Sequence, residues 1–128
     1  MDQNAHHPIR LSIHPTGRCL VHQEIELIRH IVFFSVKPDI DVEAVRTGLM
    51  ELGRIPHSRH FEIAVNRKVD LYANEIDIVV YAEFDDGAAL DAFKAHPIYE
   101  ATTRAVRPLR ELRFSADVVA TVSEIAGA

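Results

Sequence analysis

The stretch IRHIVFFSVK, residues 28–37, constrains the fold more than any other part of the chain. It is dense in β-branched and aromatic residues and runs into Pro38, so it reads as a strand. Successive side chains of a strand point to opposite faces. His30, Val32, Phe34 and Val36 therefore share one face, while Ile31 and Phe33 make the other face apolar too. IDIVVYAEF, residues 76–84, repeats the pattern, with Ile76, Ile78, Val80, Ala82 and Phe84 on one face and Val79 and Tyr81 on the other. A sheet with helices on one side and water on the other alternates apolar with polar. Strands that are apolar on both faces need a cover on each side.

The remaining segments supply one cover. RHFEIAVNR (59–67) alternates as a half-exposed strand, Phe61, Ile63 and Val65 opposing His60, Glu62 and Ala64. ELRFSADVV (111–119) reads as a fourth strand, with Leu112, Phe114, Ala116 and Val118 on one face. Between the first two strands, Val42, Val45, Leu49 and Leu52 fall at helical spacing, after the capping residue Asp41 and before Gly53 and Pro56. Gly48, inside this helix, is read as a close approach to the sheet, with a tolerated weak spot as the alternative. Between the last two strands, Leu90 and Phe93 follow Asp85–Asp86, and Ile98, Thr102, Ala105, Val106 and Leu109 follow His96–Pro97.

The order is β-α-β-β-α-β, with the second helix in two segments. That is an α+β, ferredoxin-like plan, a four-stranded antiparallel sheet with helices on one face. Its second apolar face is then a patch larger than a monomer ordinarily exposes. A second copy lying across it on a two-fold axis makes a homodimer through the sheet face the expected assembly. An N-terminal arm folded over that face is the alternative.

One domain accounts for the 128 residues. The expected organisation is an arm at 1–27, with IRLSI as a short strand, a domain at 28–118 and a tail at 119–128. A net charge of −5 carries no basic footprint for nucleic acid. No apolar run approaches the ~20 residues of a membrane span. The start, MDQNAHHPIRLSIHPTGRC, has no apolar signal core, and the single cysteine, Cys19, suits a reducing compartment. A cytoplasmic protein is expected. His6, His7, His14 and His22 match no metal-ligand spacing and are read as solvated, and Cys19 as a small residue without an adjacent base.

Four segments together, RHIVFFSVKPDID, IPHSRHFEIAVN, IDIVVYAEFDDGAALDAFKAHPIYEA and AVRPLRELRFSADV, resemble the stress-responsive dimeric α+β barrel (Dabb) family over residues 28–118. His30 at the strand start, the phrase EFDDGAALDAFKAHP and the strand leaving RPL are the most specific features. The resemblance implies a ferredoxin-like protomer whose sheet packs on that of a second subunit, in agreement with the two-faced strands. It also implies a cavity between sheet and helices. In a polyketide cyclase of the family, that cavity is lined by histidines from the first and third strands and from the segment after His-Pro, and by a tyrosine of the second helix. The matching positions here hold His30, Ile78, Tyr99 and Phe93, so one of the four polar groups is kept in kind, Tyr99 offers a substitute at a second, and the same aldol chemistry does not follow from the match. On this placement the expected pocket wall comprises Val32, Phe34, Ile78, Val80, Phe93 and His96, and Phe34, Phe84 and Phe93 either leave it open or fill it.

His96–Pro97 is read first as a joint. Proline disfavours a helical conformation at the residue before it and is well placed as the first residue of a helix. His96 then caps the second segment, with a base or ligand at the cavity mouth as the alternative. His30 sits on the face that looks at the helices, where a buried imidazole needs a partner. It is either a core histidine bonded to backbone or to Tyr99, or a general acid–base with Tyr99 as its proton-donating or orienting partner. His57, His60 and Tyr72 are read as exposed, and Asp85–Asp86 as helix caps. No phosphate loop and no nucleophilic triad can be assembled.

Two classes of function follow. One is a non-catalytic dimer holding a small apolar or aromatic molecule, in a family named for stress response. The other is a cofactor-independent cyclase, lyase or oxygenase using His30 and Tyr99. Haem or metal bound through His30 is a third, since some related barrels bind haem. No resident cofactor or metal is expected.

Overall fold

The computed structural model describes residues 9–13, 19–72 and 74–125, with side chains for 27–72 and 74–120. The elements run β1 (Ile9–Ile13), β2 (Cys19–Val36), α1 (Val42–Leu49), a 3-10 turn (Met50–Arg54), β3 (His60–Val65), β4 (Ile78–Phe84), α2 (Gly87–Ala95), α3 (Pro97–Val106) and β5 (Arg110–Ile125). β2 lies beside β5 on one edge and beside β4 on the other, and β3 follows β4; every pairing is antiparallel. This is the expected ferredoxin-like order. β1, at IRLSI, pairs with the start of β2 (Ile9↔Gln23 to Ile13↔Cys19).

β2 begins at Cys19 rather than near residue 28, and β5 continues through 119–125. The two strands stay paired out to His22↔Ile125. Inter-strand hydrogen bonds thus organise segments that the hydrophobic pattern leaves plain. His6, His7 and His14 lie outside the described residues, and for Cys19 and His22 only the backbone is described.

Capping residues set where the helices start. Asp41 accepts from the Glu43 N–H at 3.1 Å and opens α1, which buries Val45 and Leu49. Asp86 accepts from the Ala89 N–H at 2.8 Å and opens α2, which buries Leu90 and Phe93, while Asp85 pairs with Arg59 at 3.2 Å. His96 is extended (φ −71°, ψ 142°) and its Nδ1 accepts from the Ile98 N–H at 3.1 Å; Pro97 is the first residue of α3. An accepting Nδ1 places the ring proton on Nε2. Gly48 is no close approach: a Cβ there would have nothing within 4 Å. The weak spot, not the contact, describes it.

The helices cover one face of the sheet. Val32, Phe34, Ile78, Val80 and Phe84 are buried there together with Leu52, Ile55 and Val106. The opposite face carries Ile31 and Phe33 of β2, Val79 and Tyr81 of β4, and the row Leu112, Phe114, Ala116 and Val118 of β5. Cross-strand partners place them together: Phe33↔Phe114, Ile31↔Ala116 and Ile31↔Tyr81. Phe114 is 57% exposed and Val118 46%. Among the described residues no helix covers this face.

Candidate functional site

The apolar row of β5 looks away from the helices, so its polar row, Arg113, Ser115 and Asp117, looks toward them. Register puts Asp117 opposite His30 and Arg113 opposite Phe34. His30 is 3% exposed and needs a partner for its ring N–H. That partner is Asp117, whose Oδ1 is bonded to His30 Nδ1. Neither backbone nor Tyr99 supplies this contact. Asp117 Oδ2 also lies 3.9 Å from Lys94 Nζ at the end of α2, so the carboxylate stands between a buried imidazole and an ammonium. With Nδ1–H donating to Asp117, Nε2 is the nitrogen left to accept a proton. The Phe84 ring stands edge-on to the imidazole at 6.2 Å.

His30 forms part of the wall of a cavity between α3 and the sheet. Val32, Phe34 and Val80 continue that wall on the sheet side. Phe93 of α2 and Tyr99, Thr102 and Val106 of α3 form the roof, and Leu49 and Leu52 close one side. The cavity is narrow, with about 30 Å³ open to a water-sized group. Phe93 stacks edge-on against Phe84 at 5.0 Å and against Tyr99 at 5.5 Å, so the aromatic residues narrow the space without filling it. Among the described residues, the hydroxyls of Tyr99 and Thr102 have no hydrogen-bond partner, whereas Thr103 bonds back to the Tyr99 carbonyl at 2.7 Å. Arg110 and Arg113 line the cavity's remaining side. Burial, with the charges of Arg113 and Arg107, pushes the Arg110 guanidinium below its ordinary value, and Tyr99 opposes this.

Of the residues expected at the pocket, Val32, Phe34, Val80, Phe93, His30 and Tyr99 line this one cavity. Ile78 and His96 do not. Ile78 is wholly buried in the core beneath the helices, and His96 is spent on capping α3, its ring edge-on to His57 at 6.1 Å. His57 and Tyr72 are exposed, and His60 is held by Glu62 at 2.6 Å on the open face. Sequence reasoning missed Asp117, Thr102, Arg110 and Arg113 as site residues. Once Leu112, Phe114, Ala116 and Val118 are read as one face, the alternate residues of the same strand are the missing polar group, and pairing with the first strand brings them to His30.

Among the described residues no group of three or more His, Cys, Asp or Glu could hold a metal ion. Haem does not fit either: His30 Nε2 is free of the Asp117 bond, but the space beside the imidazole is too narrow for a porphyrin. No helix among the described residues is long and apolar enough to cross a membrane.

The family model described as the Stress responsive A/B Barrel Domain matches residues 28–120. The chain belongs to the Dabb family. Solved Dabb-like structures share the fold. A Dabb family protein with a ferredoxin-like fold from Mesorhizobium loti is 25% identical, with a TM-score of 0.63 over 74% of this chain and 97% of that one. A dimeric ferredoxin-like protein of unknown function from Thermobifida fusca is 25% identical, with a TM-score of 0.64 over 74% and 92%. The hydroxynitrile lyase of Passiflora edulis is 17% identical, with a TM-score of 0.65 over 73% and 93%, and so shares the fold alone. No curated protein matches the sequence. Membership agrees with the ferredoxin-like protomer read from the strand order and with the resemblance carried by EFDDGAALDAFKAHP.

Proposed function

We propose that this Dabb protein works as a homodimer joined through its open sheet face and holds a small, largely apolar molecule between the sheet and α3. The observation that carries the reading is the cavity, apolar on most sides, with a few convergent polar groups: His30, Tyr99 and Thr102. The dimer is supported by the exposed row of Phe114 and Val118 beside Phe33, and by the dimeric description of the Thermobifida fusca relative. A single cysteine favours the cytoplasm, and a part in stress tolerance rests on the family description alone.

A second reading, a cofactor-independent enzyme, is favoured by the His30–Asp117 pair. A carboxylate on Nδ1 orients an imidazole and leaves Nε2 as base, and Tyr99 is the companion donor. Val80→Phe tests the binding reading. Fragments that bind the wild-type protein and shift the amide signals of Phe93 and Thr102 are expected to lose both effects when the cavity is filled. Binding that survives Val80→Phe unchanged contradicts it. The enzyme reading is tested by deuterium uptake from D2O at the α-carbon of a bound carbonyl compound. Wild type accelerates uptake, and folded His30→Ala does not; equal rates contradict a proton-transfer role.

A further inference from the structure

We infer that the molecule held in this cavity carries an anionic head group, bound by Arg110 and Arg113, on an apolar body that lies against Val32, Val80 and Phe93. The inference rests on the cavity being a binding site and adds the class of ligand.

The first observation is a β-bulge. β2 and β5 pair residue for residue from His22↔Ile125 to Ser35↔Leu112, and the next pair in a regular ladder would be Val36↔Glu111. The register shifts there, and Val36 pairs with Arg110 instead. Ser35 Oγ accepts the Leu112 N–H at 3.0 Å, which satisfies a backbone donor at the irregularity. Bulges redirect side chains. This one brings Arg110 into the cavity wall in the position a regular strand would give to Glu111, and Glu111 lines a separate surface groove beside Val36 and Lys37. A positive charge thus stands beside Arg113 in the wall where a regular ladder would have placed a negative one.

The second observation is the lack of a counter-ion. Arg46, Arg54, Arg59 and Arg104 are each paired with a carboxylate, on Glu43, Glu51, Asp85 and Glu100. Among the described residues Arg110 and Arg113 have no such pair; Arg29 and Arg67 lack one too, but these are exposed, whereas Arg110 and Arg113 are half-buried, and Arg113 reaches only the Ser115 hydroxyl, at 3.4 Å. The carboxylate at the His30 end of the site, Asp117, is occupied by His30 and Lys94. Arg107, at the end of α3, adds a third positive charge, but it is exposed and its place is explained by the helix dipole. Arg110 and Arg113 lie on a strand and have no such explanation. Two partly desolvated guanidiniums that repel one another are stabilised by an anion, and a carboxylate or phosphate fits the guanidinium fork.

The test is calorimetric titration of the full-length protein with three matched series of increasing chain length: phenylalkanoates, phenylalkyl phosphates and phenylalkanamides. An anionic series is expected to bind at least 10-fold more tightly than the amide of equal length. The preference should fall to within about 2-fold in Arg110→Gln/Arg113→Gln, whose folding is checked by circular dichroism, and Arg110→Lys should keep part of it. Which anionic series binds more tightly separates carboxylate from phosphate. Amides binding as tightly as both anionic series overturns the anionic head group and leaves the cavity reading standing. No binding by any series up to millimolar concentration overturns both.

Discussion

The two faces of the sheet are made from the same strands and have opposite surroundings. On the helix side, Val32, Phe34, Val80 and Phe84 are sealed under α1, α2 and α3, and the polar residues among them are bonded or line the cavity. On the open side, Phe33, Leu112, Phe114 and Val118 stand exposed with no helix over them among the described residues. β5 makes the contrast sharpest, because it turns its polar row to the helices and its apolar row outward. An edge strand covered on only one side would do the reverse. The inversion is what the proposed site on the helix side and the proposed interface on the open side would require. On that proposal one strand supplies Asp117, Arg113 and Arg110 to the first and Leu112, Phe114 and Val118 to the second.

Substitutions of matched kind on the two faces separate these roles. Phe84→Ala, on the sealed side, empties a wholly buried position and is expected to cost about 3–5 kcal/mol of folding stability in urea denaturation. Phe114→Glu, on the open side, should leave each protomer folded but raise the dimer dissociation constant about 100-fold, near 2.7 kcal/mol, in sedimentation velocity. If Phe114→Glu unfolds the chain without changing association at native concentrations, the contrast between the faces collapses. Asp117→Ala removes the partner of a buried imidazole and should cost about 1–2 kcal/mol, toward the low end because water reaches the 40% exposed Asp117 side chain. Unchanged stability would mean His30 does not depend on Asp117.

Smaller effects sharpen the picture. Gly48→Ala has open space around the new methyl and should stabilise the chain by about 0.5–1 kcal/mol, seen as a higher urea midpoint; destabilisation would restore the close approach. On the open face Tyr81 donates to Glu83 Oε2 at 2.6 Å, and that bond, followed by burial and the Glu83 charge, raises its pKa above the ordinary value of about 10. A raised pKa favours the protonated phenol in the folded state, so this contribution is complete below pH 10 and is lost as pH rises through the folded value. Ultraviolet titration should show one tyrosine ionising late, and Glu83→Gln should bring it back; a titration unaffected by Glu83→Gln would remove that bond.

Much of this was legible in the residues, for identifiable reasons. The strand faces followed from period-two alternation, so β2, β3 and β4 and the bare second face could be read directly. The joint at His96–Pro97 followed from the geometry of proline. The extension of β2 back to Cys19 was less visible, since Glu24 and Glu26 break the apolar run, although their alternation with Ile25 and Leu27 is a strand signal in itself. Asp117 went unseen because its strand was read for its apolar row, and the row that matters for the site is the other. The bulge at Ser35–Val36, which decides between Arg110 and Glu111, is a property of pairing that no single-strand pattern carries.

The central claim, an apolar sheet face covered by a second copy and a cavity on the other side, is tested most directly by native mass spectrometry of the freshly purified full chain at micromolar concentration. The account predicts the mass of two chains, with added small-molecule mass that is lost on denaturation. A monomer at that concentration, carrying nothing, would contradict it.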